Sequence, residues 1–145
     1  MLFFTLLLVA VVLFTASRAS TQQSSVNLQS VSTTGANPPN YPTGTAESGP
    51  ADGQITLRWT PATSGHSVTG WSILWRQVGS STYPNTATLA AGARTHTING
   101  LDKSLRYDVR LVANSSTGLA ITEALNIAAV ASTPPPTASP PPPPP

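Results

Sequence analysis

The segment Gly100-Leu101-Asp102-Lys103-Ser104-Leu105-Arg106-Tyr107-Asp108-Val109-Arg110-Leu111-Val112-Ala113 decides the fold. From Arg106 onward it alternates, with Tyr107, Val109, Leu111 and Ala113 on one side and Arg106, Asp108 and Arg110 on the other. A period of two is the mark of a strand with one face in a core and one in water. Thr95-His96-Thr97-Ile98 alternates just before it, so two strands meet at a corner around Gly100. The first set is expected in the core, and Arg106, Asp108 and Arg110 are expected to be solvated.

Working outward, Ile55-Thr56-Leu57-Arg58-Trp59 repeats the alternation and places Ile55, Leu57 and Trp59 inward before Pro61 and Ser64-Gly65 end the strand. Trp71-Ser72-Ile73-Leu74-Trp75 does the same for Trp71, Ile73 and Trp75. Each tryptophan can bury roughly 150 to 250 Å², so Trp59, Trp71 and Trp75 would supply most of the bulk of a small core. Gly79-Ser80-Ser81 and Gly92 read as turns on either side of a short edge strand at Ala87-Thr88-Leu89. After the loop 114–118, a last strand is expected from about residue 122 to 131, with Leu125 and Ile127 inward. Toward the N-terminus, residues 26–31 read as a first edge strand. The stretch 35–53, with Pro38, Pro39, Pro42 and Pro50, reads as loop, with Tyr41 folded back on the surface. Seven short strands with no amphipathic helix among them indicate an all-β antiparallel sandwich.

In their order and spacing, Gly100, Leu101, Tyr107, Val109 and Ala113, together with Leu57-Arg58-Trp59-Thr60-Pro61 and Gly70-Trp71-Ser72-Ile73-Leu74-Trp75-Arg76, resemble the fibronectin type III family. The resemblance covers roughly residues 50 to 132 and implies a seven-stranded, immunoglobulin-like sandwich. It also implies a tyrosine corner, in which Tyr107 and Leu101 pack at the turn and the Tyr107 hydroxyl returns to a nearby backbone group. Lys103 stands where the family often has proline. In some integrin-binding relatives the loop after this strand carries Arg-Gly-Asp. Here it reads Ser115-Ser116-Thr117-Gly118, so that function is not implied.

The 145 residues leave room for one domain of about 100 residues with extensions at both ends. Charged residues are 8% of the chain, seven Lys plus Arg against five Asp plus Glu, too few to form the basic patch that nucleic-acid binding requires. With no cysteine, disulfides and thiol chemistry are excluded. Residues 2–14 are almost wholly apolar and lead into Thr15-Ala16-Ser17-Arg18-Ala19-Ser20, where Ser17 and Ala19 occupy the two small positions before a cut. Residues 1–19 therefore read as a secretory signal peptide, being shorter than the roughly 20 apolar residues of a membrane span. After cleavage the chain would be extracellular, with no membrane attachment. A Ser/Thr/Pro-rich lead-in, 20–49, would precede the domain, 50–132. At the other end three prolines at 134–136 and six at 140–145 make 133–145 a disordered polyproline II tail, a stiff spacer or a ligand strip. That tail is similar to the Ser-Pro runs of plant and algal wall glycoproteins and to linkers of secreted bacterial enzymes. A cytosolic role as a ligand for SH3-type domains conflicts with the signal peptide.

Catalytic chemistry finds little material. The two histidines, His66 in a turn and His96 near Ile98, read as a solvated and an edge-of-core residue, and no Gly-x-Ser-x-Gly elbow accompanies them. No Cys or clustered carboxylate offers a metal site, and no glycine loop has the Lys and helix of a phosphate cradle. The sequence thus predicts a chain that is not an enzyme and holds no cofactor. Asn114-Ser115-Ser116 is an N-glycosylation sequon on an exposed loop, which makes Asn114 the glycan candidate. Leu74 and Arg76 on one strand and Arg106 and Arg110 on another form a candidate binding face for an acidic, sialylated or uronate-bearing partner. The expectation is a monomeric, non-catalytic interaction or spacer module of an extracellular matrix, cell wall or cell surface, binding an extracellular protein or polysaccharide. The alternative is an accessory module of a larger secreted enzyme, for example a polysaccharide-degrading one, lying beyond the proline run.

Overall fold

The computed structural model describes residues 25–131, so the signal-peptide and proline-tail expectations lie outside the described residues. Nine strands follow one another: β1 Val26–Asn27, β2 Gln29–Gly35, β3 Thr43–Ser48, β4 Ile55–Thr60, β5 Gly70–Gln77, β6 Asn85–Ala90, β7 Thr95–Ile98, β8 Arg106–Asn114 and β9 Gly118–Ala128. They form two antiparallel sheets, one in the order β1-β3-β4-β7 and the other β2-β9-β8-β5-β6. The all-β sandwich expected from the alternation is what forms.

Its core is built from the inward positions of both sheets. Ile55, Leu57 and Trp59 of β4 and Ile98 of β7 face Trp71 and Ile73 of β5, Val109, Leu111 and Ala113 of β8, and Ala120, Ala124 and Ile127 of β9, all buried. Trp59 and Trp71 meet across the two sheets with ring centres 5.6 Å apart and planes tilted by 59°, a favourable aromatic arrangement. The Trp71 indole N–H donates to Ala91 O at 3.0 Å. Trp75, expected in the core, is half-buried at its margin.

Several expectations are corrected. The stretch 35–53 is not all loop: Thr43–Ser48 forms β3 and pairs with β4 along its whole length. Its inward residues, Gly44, Ala46 and Ser48, are too small to show as a hydrophobic period, and at Gly44 the absence of a side chain is required. A Cβ on Gly44 would fall 2.2 Å from Arg58 O. The sandwich therefore begins before residue 50, and Tyr41, ahead of β3, packs against the core.

Residues 26–31 are not a single edge strand. The chain changes sheets at the buried Leu28, whose N–H donates to Gly44 O at 2.9 Å. β1 pairs with β3 and β2 pairs with β9.

Leu125 does not face the core but is 51% exposed. Val109 pairs with Ala124 and Tyr107 with Ile127, so Leu125 and Asn126 together stand opposite Asp108 alone, which is a β-bulge. The extra residue reverses the parity of β9, and Asn126 takes the left-handed conformation with φ 62°. Asp108, expected to be solvated, is 6% exposed because it serves this bulge. Its Oδ1 accepts the Asn126 backbone N–H at 3.1 Å.

Candidate functional site

On the outer face of the five-stranded sheet, register sets Leu74 opposite Arg110 and Arg76 opposite Asp108. Arg76 Nε donates to Asp108 Oδ2 at 3.0 Å, and both side chains are largely buried. Arg110 Nε lies 3.4 Å from Glu123 Oε1 of β9, close enough for an ion pair but without the alignment of a hydrogen bond. Tyr83, from the loop between β5 and β6, lies over this surface. The guanidinium carbons of Arg76 and Arg110 are each 4.4 Å from its ring centre, and its hydroxyl donates to Glu123 Oε1. Burial, reinforced by the Glu123 carboxylate, pushes the Tyr83 hydroxyl up to about 12.

The structure thus brings Leu74, Arg76 and Arg110 together and ties both arginines to internal partners. Arg106, at the start of β8, stands apart, exposed, with NH1 donating to Asn126 O at 2.8 Å. Sequence reasoning missed Tyr83 and Glu123. A lone tyrosine in a Ser/Thr turn carries no periodicity, and Glu123 was seen only as one position of a strand.

The outer face of the four-stranded sheet is different in chemistry. Thr45, Arg58 and Thr95 form one row across β3, β4 and β7, with Thr43 beside Thr60 in the adjoining row. With Arg94 they line an open groove of about 390 Å³. The Arg58 side chain is 65% exposed and uses Nε toward Glu47 Oε1 at 3.3 Å. Arg94 turns NH1 onto the carbonyls of Ala91 and Ala93, at 2.7 and 2.6 Å, and has no carboxylate partner among the described residues. Neither arginine stood out in the sequence, because Arg58 reads there as one outward position of an alternating strand and Arg94 as a turn residue.

At the corner, Tyr107 is 8% exposed and its hydroxyl accepts the Asp102 backbone N–H at 2.9 Å, while Leu101 packs half-buried beside the core. Asp102 in turn accepts the Ser104 hydroxyl and N–H at 2.6 and 2.8 Å, and these bonds hold its carboxyl below the usual range. Lys103 reaches Asp52 at 2.9 Å, lowering the Asp52 pKa and raising its own. His66 is exposed in the β4–β5 loop. His96 points inward opposite Leu57, where burial lowers its pKa below the ordinary 6.5. Asn114 ends β8 half-buried, with Nδ2 donating to Ser72 Oγ at 3.1 Å, a bond that a glycan on that nitrogen would have to replace. Among the described residues no group of three His, Cys, Asp or Glu converges, and no helix is long and apolar enough to cross a membrane.

The family model of the fibronectin type III domain matches residues 37–128, the span that holds β3 to β9. The chain belongs to the fibronectin type III family. No curated protein matches it in sequence. A solved structure from a computer-based redesign of a β-sandwich protein is 13% identical, covers 66% of this chain and 94% of its own, and superposes with a TM-score of 0.48. Domains of this family are in general non-catalytic interaction or spacer modules, and the chain carries one of them.

Proposed function

We propose that the chain is a secreted, non-catalytic recognition module of an extracellular matrix, cell wall or cell surface, with its proline-rich segment 133–145 as a stalk. The observation that carries this reading is the groove on the four-stranded sheet, where Arg58 and Arg94 stand among Thr43, Thr45, Thr60 and Thr95, the last of which donates its hydroxyl to Leu57 O at 2.9 Å. Arginine donors in a fork suit carboxylates, and threonine hydroxyls suit a partner that is itself rich in hydroxyls. A large apolar anchor of the kind that dominates protein–protein interfaces is missing from the groove, since Trp59 beneath it is 4% exposed. The fitting partner is an acidic, uronate-bearing polysaccharide. The sheet face with Arg76 and Arg110 weighs less, because those side chains are paired and mostly covered, at 22% and 32% exposed, whereas Arg58, though paired with Glu47, is 65% exposed.

Binding to polygalacturonate, with an uncharged glucan as control, tests this. The chain with Arg58→Ser and Arg94→Ser should lose about tenfold or more in affinity, which is about 1.4 kcal/mol. The chain with Arg106→Ser and Arg110→Ser should bind as the parent does. Loss confined to the second variant would place recognition on the other sheet, and equal binding of the neutral glucan would reject an anionic partner.

A further inference from the structure

Seven of the nine strands, β3 to β9, fall within the matched residues 37–128, so the family domain is complete without β1 and β2. The segment 26–35 is an addition to it. It crosses from one sheet to the other along the side of the sandwich and closes the edge of the eleven-residue strand β9.

Its hold is mostly backbone. Six of the seven residues of β2 are exposed, so the strand buries almost no apolar surface. A groove of about 370 Å³ remains at the seam, lined by Val26, Val31, Glu123 and Leu125 among others. Two of the three exposed large apolar side chains of the described residues, Val31 and Leu125, stand there. Little buried apolar surface and a poorly filled seam are the physical content of a segment that opens at low free energy. Two apolar plugs oppose this, the half-buried Val26 and the buried Leu28.

The attachment point is narrow. Just beyond the arm, Asn37 O accepts the hydroxyls of Ser115 and Thr117 at 3.4 and 3.1 Å, and buried Pro39 is bridged to Gly65. The chain is therefore fixed to the body from Asn37 onward, and the pivot reduces to Gly35 and Ala36. Gly35 has φ 100° and passes so near the β8–β9 turn that a Cβ would lie 2.2 Å from Thr117 O.

We propose that residues 26–35 form an exchangeable arm, donated to the β9 edge of a second copy of the chain. The vacated site takes two apolar plugs two residues apart followed by an extended backbone that pairs with β9, and a second copy supplies that segment in the same register. The hydrogen bonds and apolar packing that the arm gives up on its own sandwich are formed again on the other, so the balance between closed monomer and exchanged dimer depends on the pivot and on protein concentration.

The chain has no cysteine, which allows a direct test. Ser32 and Ile121 are register partners in β2 and β9. Directly opposed residues of an antiparallel pair lie roughly 4.5 to 5.5 Å apart at Cα, within disulfide reach. The full chain with Ser32→Cys and Ile121→Cys is refolded over a range of protein concentrations, oxidised and run on a non-reducing gel, with thiols counted. Exchange predicts covalent dimers with no free thiol, in a proportion that rises with concentration and matches light scattering of the parent chain. Oxidation that consumes the thiols but yields monomers at every concentration would overturn the proposal. Free thiols that resist oxidation would also overturn it, since they would mean that β2 does not pair with β9.

Discussion

Tyr107 shows how much one side chain fixes. Its ring fills the core end of β8, while its hydroxyl accepts the amide of Asp102 across the corner and so holds the turn in place. Tyr107→Phe keeps the ring and strips the acceptor from a partly buried N–H. It should lower stability by about 1 to 2 kcal/mol in denaturant unfolding. No change would mean that water replaces the hydroxyl and that the corner does not depend on it. Its place in the core was legible from the alternation of β8, and its role at the corner from the resemblance to the fibronectin type III family that Gly100, Leu101 and Tyr107 carry. Tyr83 was not legible. Its place between Arg76 and Arg110 depends on how a loop folds back over a sheet, and no local period encodes that.

At the scale of elements, alternation located β4, β5, β7 and β8 because their inward residues are large. It failed where the inward residues are small, as in β3, and where the period breaks, as in β9. There the parity of Ala120, Thr122 and Ala124 is interrupted by Leu125-Asn126 and resumes at Ile127, all four inward residues being buried. A sequence reader who assumes an unbroken period puts Leu125 inside. Asp108 holds the bulge from the facing strand by accepting the Asn126 N–H and Arg76 Nε together. Asp108→Ala removes both acceptors and leaves Arg76 without its carboxylate. It should cost about 2 to 3 kcal/mol, toward the lower end for a buried pair because Arg76 retains some access to water. A loss no larger than that of an ordinary surface substitution would show that the bulge is stable without its aspartate. The candidate site was less legible than the fold. Arg58, Arg94 and their threonines occupy ordinary outward positions in sequence, and only the pairing of β3, β4 and β7 makes them neighbours.

For the whole molecule, one fibronectin type III sandwich stands between a lead-in that adds a strand to each sheet and a proline-rich segment that begins a few residues past β9. The large inward residues made this architecture readable, and the few charges set the expectation that nucleic acid is not its partner. The proposed extracellular placement rests on the sequence of residues 1–19, whose apolar run and small residues before Ser20 are read as a cleavable signal. The intact mass and N-terminal residue of the native product, taken from the medium or matrix after removal of N-linked glycans, test the account most directly. A chain that begins at Ser20, recovered outside the cell and carrying the sandwich without an attached catalytic domain, is the predicted result. A product kept inside the cell with residues 1–19 in place, or a sandwich that rides on an enzyme, would contradict it.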